Sequence, residues 1–220
     1  MKARWQAAAA SFNHGERQSL GRDDRREPFP RLRHRVETDR VERRRAVEIL
    51  LGDQDHLAPF ADALGGQFYA EVRAAARAAG ERLRDLGLVP FAMTTGSRGL
   101  HVVCPLRRGP DFLEVHGFAR ALAEAMVADD PRHLTLEWHK ADRGKRIYLD
   151  VNRIAYAQHA VAPYAIRARP NAPVAVPLHW EELSDPALQP DRWTVNNLAA
   201  RLGDGDPWDG MSRHARALPR

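Results

Sequence analysis

Cysteine is nearly absent. Cys104 is the only one in 220 residues, which excludes an internal disulfide framework and any multi-cysteine zinc site. No apolar run approaches the roughly 20 residues needed to span a bilayer, so a transmembrane reading falls away. Met1 to Ala10 lacks the apolar h-region of a secretory signal, and the expected setting is a reducing cytoplasm. Lysine is scarce as well: only Lys2, Lys140 and Lys145 occur, so 31 of the 34 cations are arginine. Planar guanidinium forks suit phosphates and base edges, although a GC-rich genome choosing arginine codons produces the same excess.

What remains is enough for a folded domain. The chain is 44% hydrophobic and 29% charged, with room for one large domain or two small ones. A net charge of +5 invites a nucleic-acid reading. Its distribution matters more than its size. Residues 1–45 hold 13 Lys/Arg against 7 Asp/Glu, a net of +6, which leaves 21 against 22 and a net of −1 for residues 46–220. Mixed-charge runs such as Arg22 to Glu27 and Arg40 to Arg45 bury too little apolar area to offset ordering entropy. The expectation is a mobile basic extension over 1–45 and a folded domain over 46–220.

Within the domain, Phe68, Val72, Ala76, Ala79, Leu83 and Leu86 recur at helical spacing, with Gly87 as the stop. Leu88 to Met93 reads as a strand, Thr94 to Gly99 as a polar turn and Leu100 to Leu106 as a second strand. Asp111 is an N-cap candidate for a helix whose stripe is Phe112, Val115, Ala119, Leu122 and Met126. His133 to Trp138 and Ile147 to Val151 alternate in polarity and predict a hairpin, with Leu134, Leu136 and Trp138 on its core side. A proline-rich extended course then leads to Trp180, a short turn at Glu181 to Leu183 and a last helix over 194–202. The predicted fold is α+β, an antiparallel or mixed sheet with helices packed on one face.

Two features carry chemistry. In Thr94-Thr95-Gly96-Ser97-Arg98-Gly99-Leu100-His101, two glycines allow close backbone approach, Ser97 adds a hydroxyl, Arg98 a fork for phosphate and His101 an imidazole on the following strand. A plain glycine turn with a surface histidine fits the same residues. Asp150 sits between Leu149 and Val151 on a half-buried strand, where a carboxylate needs a partner. The candidates are a metal ion or the nearby Lys140, Arg143, Lys145 and Arg146. His101, His133 and His139 match no zinc spacing, and Cys104 on an apolar strand reads as core. Trp180, Trp193 and Trp208 read as packing for the proline-rich segment, with base stacking as the other possibility.

Three segments, Thr94 to Leu106, Trp138 to Asn152 and Ala162 to Leu178, resemble the polymerase domain of bacterial ATP-dependent DNA ligase D. That domain belongs to the archaeo-eukaryotic primase-polymerase superfamily. Trp180 to Leu183 and Asp206-Pro207-Trp208 extend the likeness, which spans about residues 62–211.

The resemblance implies template-directed nucleotidyl transfer at DNA ends, primer-template or gapped, during bacterial non-homologous end joining. Its implied substrates are NTP or dNTP, with manganese or magnesium as cofactor, and its implied partners a ligase domain or a Ku-like end-binding protein. The implied place is the bacterial cytoplasm, associated with the nucleoid and not with a membrane. By the same resemblance Ser97, Arg98, Gly99 and His101 grip the triphosphate, together with Lys140 and Arg146. Arg167 and Arg169 face DNA, and Asp150 is a catalytic metal ligand.

Family members normally add an Asp-x-Asp pair on a strand just before the first long helix. In register this chain offers Phe60-Ala61-Asp62, so Asp62 is the preferred second catalytic metal ligand and the first position is a phenylalanine. A complete pair, Asp53-Gln54-Asp55, follows the apolar run Val47 to Leu51 and is the alternative. Residues 1–57 have no counterpart in the family, which reads as an N-terminal truncation or an unrelated or frame-shifted start. With this metal set incomplete, a catalytically impaired fragment that still binds nucleotide or DNA remains the competing reading, and a non-functional remnant the blandest.

Overall fold

The computed structural model describes residues 46–51, 58–155 and 158–219; side chains are described for Val47, Ile49 and Leu51 on the first strand and from Gln67 onward on the first helix. The expected basic extension over 1–45 and the Asp53-Gln54-Asp55 run lie outside the described residues. All described residues fall within one unit, Val41–Arg220.

Among the described residues six strands form one sheet: β1 Ala46–Leu51, β2 Phe91–Thr94, β3 Leu100–Pro105, β4 Leu134–Thr135, β5 Ile147–Asp150 and β6 Pro177–Leu178. Their order is β4-β5-β1-β3-β2-β6, with β1 between β5 and β3 and antiparallel to both. Two long helices cover one face, α1 Ala58–Asp85 and α2 Phe112–Asp129. Period-two alternation sends Val47, Ile49, Leu51, Leu100, Val102, Cys104 and Leu149 to that face. There they join Val72, Ala76, Ala79 and Leu83 of α1 and Val115, Ala119, Leu122 and Met126 of α2 in a single core. The expected mixed sheet with helices on one side is what forms.

The residues explain the elements. The alanine-, arginine- and glutamate-rich run after Phe68 has high helix propensity, and its alanines let α1 lie close on the sheet. Gly80 is a notch for Trp180: a Cβ there would stand 2.0 Å from the indole Cζ2. Arg84 closes over the same ring at 4.1 Å. The helix ends in paired turns, Leu88 N–H to Leu83 O at 2.9 Å and Gly87 N–H to Arg84 O at 2.8 Å, with Gly87 at φ +79°. That ending leaves Leu86 45% exposed, off the predicted stripe, and delays β2 to Phe91. At the other end α1 reaches back to Ala58, ten residues before the expected start. Pro59 suits a first turn, whose amides lack helical partners anyway. Asp111 caps α2 as expected, in a reciprocal box with Glu114.

The predicted hairpin is not one. β4 pairs parallel to β5, Leu134 with Ile147 and Thr135 with Tyr148. Thr135 Oγ1 accepts the Glu137 amide at 3.0 Å, and this local bond turns the chain out of the ladder after two residues. Trp138 consequently leaves the core side and stands 60% exposed. The C-terminal third straps the sheet: Arg73 of α1 donates to Leu188 O at 2.9 Å and Trp208 Nε1 to Ala92 O at 3.0 Å. Trp193 is buried, so all three tryptophans of this region pack. A final short helix, α3 Leu198–Gly203, begins four residues later than expected.

Candidate functional site

The chemistry gathers on the sheet face away from the helices. Leu50 of β1 is register partner to His101 of β3 on one side and to Asp150 of β5 on the other. Direct antiparallel partners share a face, so His101 and Asp150 stand on one side, roughly 10 Å apart across β1. Met93 continues the row beyond His101. His101 and Asp150 are each 2% exposed, two buried polar groups on a face where burial demands partners.

Asp150 has its partners. Its Oδ2 accepts Arg153 Nε at 3.1 Å and its Oδ1 the Asn152 amide at 3.0 Å. Tyr148, two residues earlier on the same face, accepts Asn152 Nδ2 at its hydroxyl at 2.9 Å. Burial, and after it the Asp150 carboxylate, holds the Tyr148 hydroxyl above its ordinary pKa. Arg143, 3% exposed, lies 3.7 Å over the Tyr148 ring. Its guanidinium also reaches back to the carbonyls of Glu137 and Trp138, both at 2.8 Å. Arg153, Asn152 and Tyr148 were not among the sequence candidates. The i+3 spacing of Arg153 after a buried carboxylate was the signal available.

The Thr94–Gly99 turn hangs beside this row, at the end of β3 where Leu51 pairs with Leu100. Thr95 N–H bonds Gly99 O at 3.1 Å, and Gly99 N–H bonds Thr95 Oγ1 at 3.2 Å. Gly99 thus shapes the turn with an amide already engaged. Ser97 and Arg98 are half-buried at its tip. Gly96 has φ +62°, and a Cβ there would meet Arg167 Cγ at 2.8 Å, Val174 C at 2.9 Å and Ala175 N at 3.0 Å. Only glycine lets the turn nest against the proline-rich segment, and this contact brings Arg167 to the turn.

That segment folds back on itself through Arg167 N–H to Pro173 O and Tyr164 N–H to Ala175 O, both 2.7 Å. Tyr164 holds φ +62°, a conformation costly for a bulky residue. Burial first, then its hydrogen bond to Asp206, raises its hydroxyl pKa. Arg169 sits in the turn at the tip of this segment, its carbonyl bonded to Ala172 N–H at 3.0 Å.

The other candidates lie on the loop before β5 and on α1. Lys140 opens an exposed 3-10 turn, Lys140–Asp142, and Arg146 is half-buried with its guanidinium on the carbonyls of Arg143 and Asp142. Asp62 lies within α1, a helix, whereas the strand beside Asp150 is β1. The described residues do not fit a divalent cation. No three His, Cys, Asp or Glu among them come together as ligands, and the one buried carboxylate on this face is paired with Arg153.

Comparison with known proteins settles the family. The family model described as the LigD primase-polymerase domain matches residues 62–208. The chain belongs to the LigD primase-polymerase family. It is 33% identical over 156 residues to the multifunctional non-homologous end joining DNA repair protein LigD of Mycobacterium tuberculosis, covering 70% of this chain and 20% of that protein. The Pseudomonas aeruginosa LigD is 33% identical over 129 residues, 57% of this chain and 15% of the relative. The chain therefore spans about a fifth or less of these relatives' length. Among solved structures, the polymerase domain of Mycobacterium tuberculosis ligase D in complex with DNA superimposes with a TM-score of 0.66 at 27% identity, over 77% of this chain and 55% of that one. For this LigD-family chain, the likeness agrees with the α+β architecture and the polymerase-domain resemblance read from sequence.

Proposed function

We propose that this chain performs template-directed nucleotidyl transfer at DNA ends in bacterial non-homologous end joining. The observation that carries the reading is the placement of the glycine turn beside the His101–Asp150 row, with Arg167 packed against it. Ser97, Arg98 and His101 would hold the triphosphate, Gly99 would set the turn, and Lys140 and Arg146 would add charge from the neighbouring loop. Arg167 and Arg169 would face the DNA end. Phosphoryl transfer asks little covalent chemistry of a protein; positioning and charge stabilisation dominate, and this face supplies donors of the right kind.

Manganese or magnesium belongs to the same proposal, and it would need carboxylates beyond Asp150. Asp62 on α1 is the candidate favoured by sequence register, and the Asp53/Asp55 pair directly after β1 is its rival. NTP or dNTP as substrate, a ligase domain or Ku-like protein as partner and a cytoplasmic setting are parts of the same proposal. Among the described residues no helix is long and apolar enough to cross a membrane.

A second reading has its own observation. Asp150 is paired with Arg153 and no three His, Cys, Asp or Glu gather as ligands among the described residues, which favours a module that binds nucleotide or DNA without catalysis. One experiment separates the two: labelled-nucleotide incorporation on a primer-template, with manganese, magnesium or chelator, alongside triphosphate binding. Metal-dependent incorporation supports the transferase; triphosphate binding with no incorporation supports the module; neither binding nor incorporation sinks both.

A further inference from the structure

We propose that Trp138 is a stacking platform for an unpaired base of single-stranded DNA, with Lys145 on an adjacent phosphate. The inference deepens the reading that the domain acts on DNA and rests on it. Among the described residues, Trp138 at 60% is the one aromatic among the large hydrophobics left exposed to solvent. The backbone that carries it is pinned by hydrogen bonds. Arg143 fixes the carbonyls of Glu137 and Trp138 at 2.8 Å each, and Arg146 fixes those of Arg143 and Asp142 at 3.0 and 2.6 Å. The Asp142 amide returns to His139 O at 3.1 Å. A loop backbone fixed this way adds little ordering cost on binding, which favours affinity.

Charge selects the occupant. Residues 137–146 carry Lys140, Arg143, Lys145 and Arg146 against Glu137 and Asp142, a net of +2 in a body whose net is −1. Both lysines beyond Lys2 lie here, and both are exposed, as is His139. An exposed aromatic face on a loop of net positive charge suits a nucleic-acid base with its phosphates better than an apolar partner, because every base offers a π-face and stacking tolerates sequence. The loop also stands next to the reaction face: Arg143 bridges from Trp138 O to the Tyr148 ring, and Tyr148 and Asp150 are two residues apart on β5. An unpaired base on Trp138 would sit beside the DNA end, not on the triphosphate turn.

The test measures binding of fluorescein-labelled oligothymidylate to the 220-residue chain and its variants. Trp138→Ala is expected to weaken binding about 5- to 100-fold, and Trp138→Phe to restore most of it. Lys145→Ala should lower the salt dependence, by about 0.7 in slope for the one phosphate no longer neutralised. On an oligonucleotide lacking its bases, Trp138→Ala should bind as wild type does. Triphosphate binding should be the same in wild type and Trp138→Ala. If wild type binds the strand and Trp138→Ala binds it equally well, the platform is overturned while the DNA reading stands. If wild type binds triphosphate but no single strand, the platform falls and the nucleotide site survives. Binding of neither overturns both.

Discussion

The two faces of this sheet are built on opposite principles. Under α1 and α2 the strands present Val47, Ile49, Leu51, Leu100, Val102, Cys104 and Leu149, closed by apolar contact alone. On the far face the same strands present His101, Tyr148 and Asp150, equally buried and held by hydrogen bonds, a guanidinium pair and a cation over a ring. Burial is therefore no guide to which face is inert. The first face stabilises through area removed from water, at about 25 cal/mol per Å². The second is costly unless every polar group finds a partner, and such faces are where reactive groups are kept.

The contrast can be broken at several points. Asp150→Ala should lower nucleotide incorporation about 10²- to 10³-fold while the protein still melts cooperatively; full activity would remove the far face from the reaction. Leu83→Ala should act the other way, costing about 3 kcal/mol in a denaturant melt with triphosphate affinity unchanged. Gly96→Ala belongs to both categories. A Cβ at φ +62° against Val174 and Ala175 should cost about 2 kcal/mol and also weaken triphosphate binding, because the turn must lift from the Arg167 segment. Stability loss with unaltered binding would separate the turn from the nucleotide.

The smallest effect concerns pH. Burial pushes the Cys104 thiol up to about 12, partly opposed by Arg84, from an unfolded value of 9.0. Its folded pKa is raised, so its contribution is complete below pH 9 and declines as pH climbs towards 12. The loss is about 1.4 kcal/mol per pH unit within that window. Urea melts at pH 8, 9 and 10 should show it, and Cys104→Ala should flatten the decline.

The helix-side face was the legible one. Val72, Ala76, Ala79 and Leu83 announce themselves by spacing, and the Asp111–Glu114 box and the Gly87 stop by residue type, because these follow from local rules. The far face depends on partners distant in sequence or hidden in local competition. Thr135 ended β4 through one side-chain bond, which turned an expected hairpin into a parallel pair and moved Trp138 into solvent. Arg153 became the partner of Asp150 only through the turn after β5. Leu86 fitted the helical period and still ended outside, since the helix stops at Asp85. Among the site residues, Ser97, Arg98, His101 and Asp150 were named from sequence, and the structure sets them at one end of the sheet. Asp62 was expected on a strand and lies on α1.

The sharpest check is hydrogen–deuterium exchange of the chain with and without a nucleoside triphosphate. Added protection is expected over residues 94–101 and 147–153, with residues 72–83 and 115–126 unchanged. Protection confined to the helices, or none at the turn and β5, would contradict a nucleotide site on the far face.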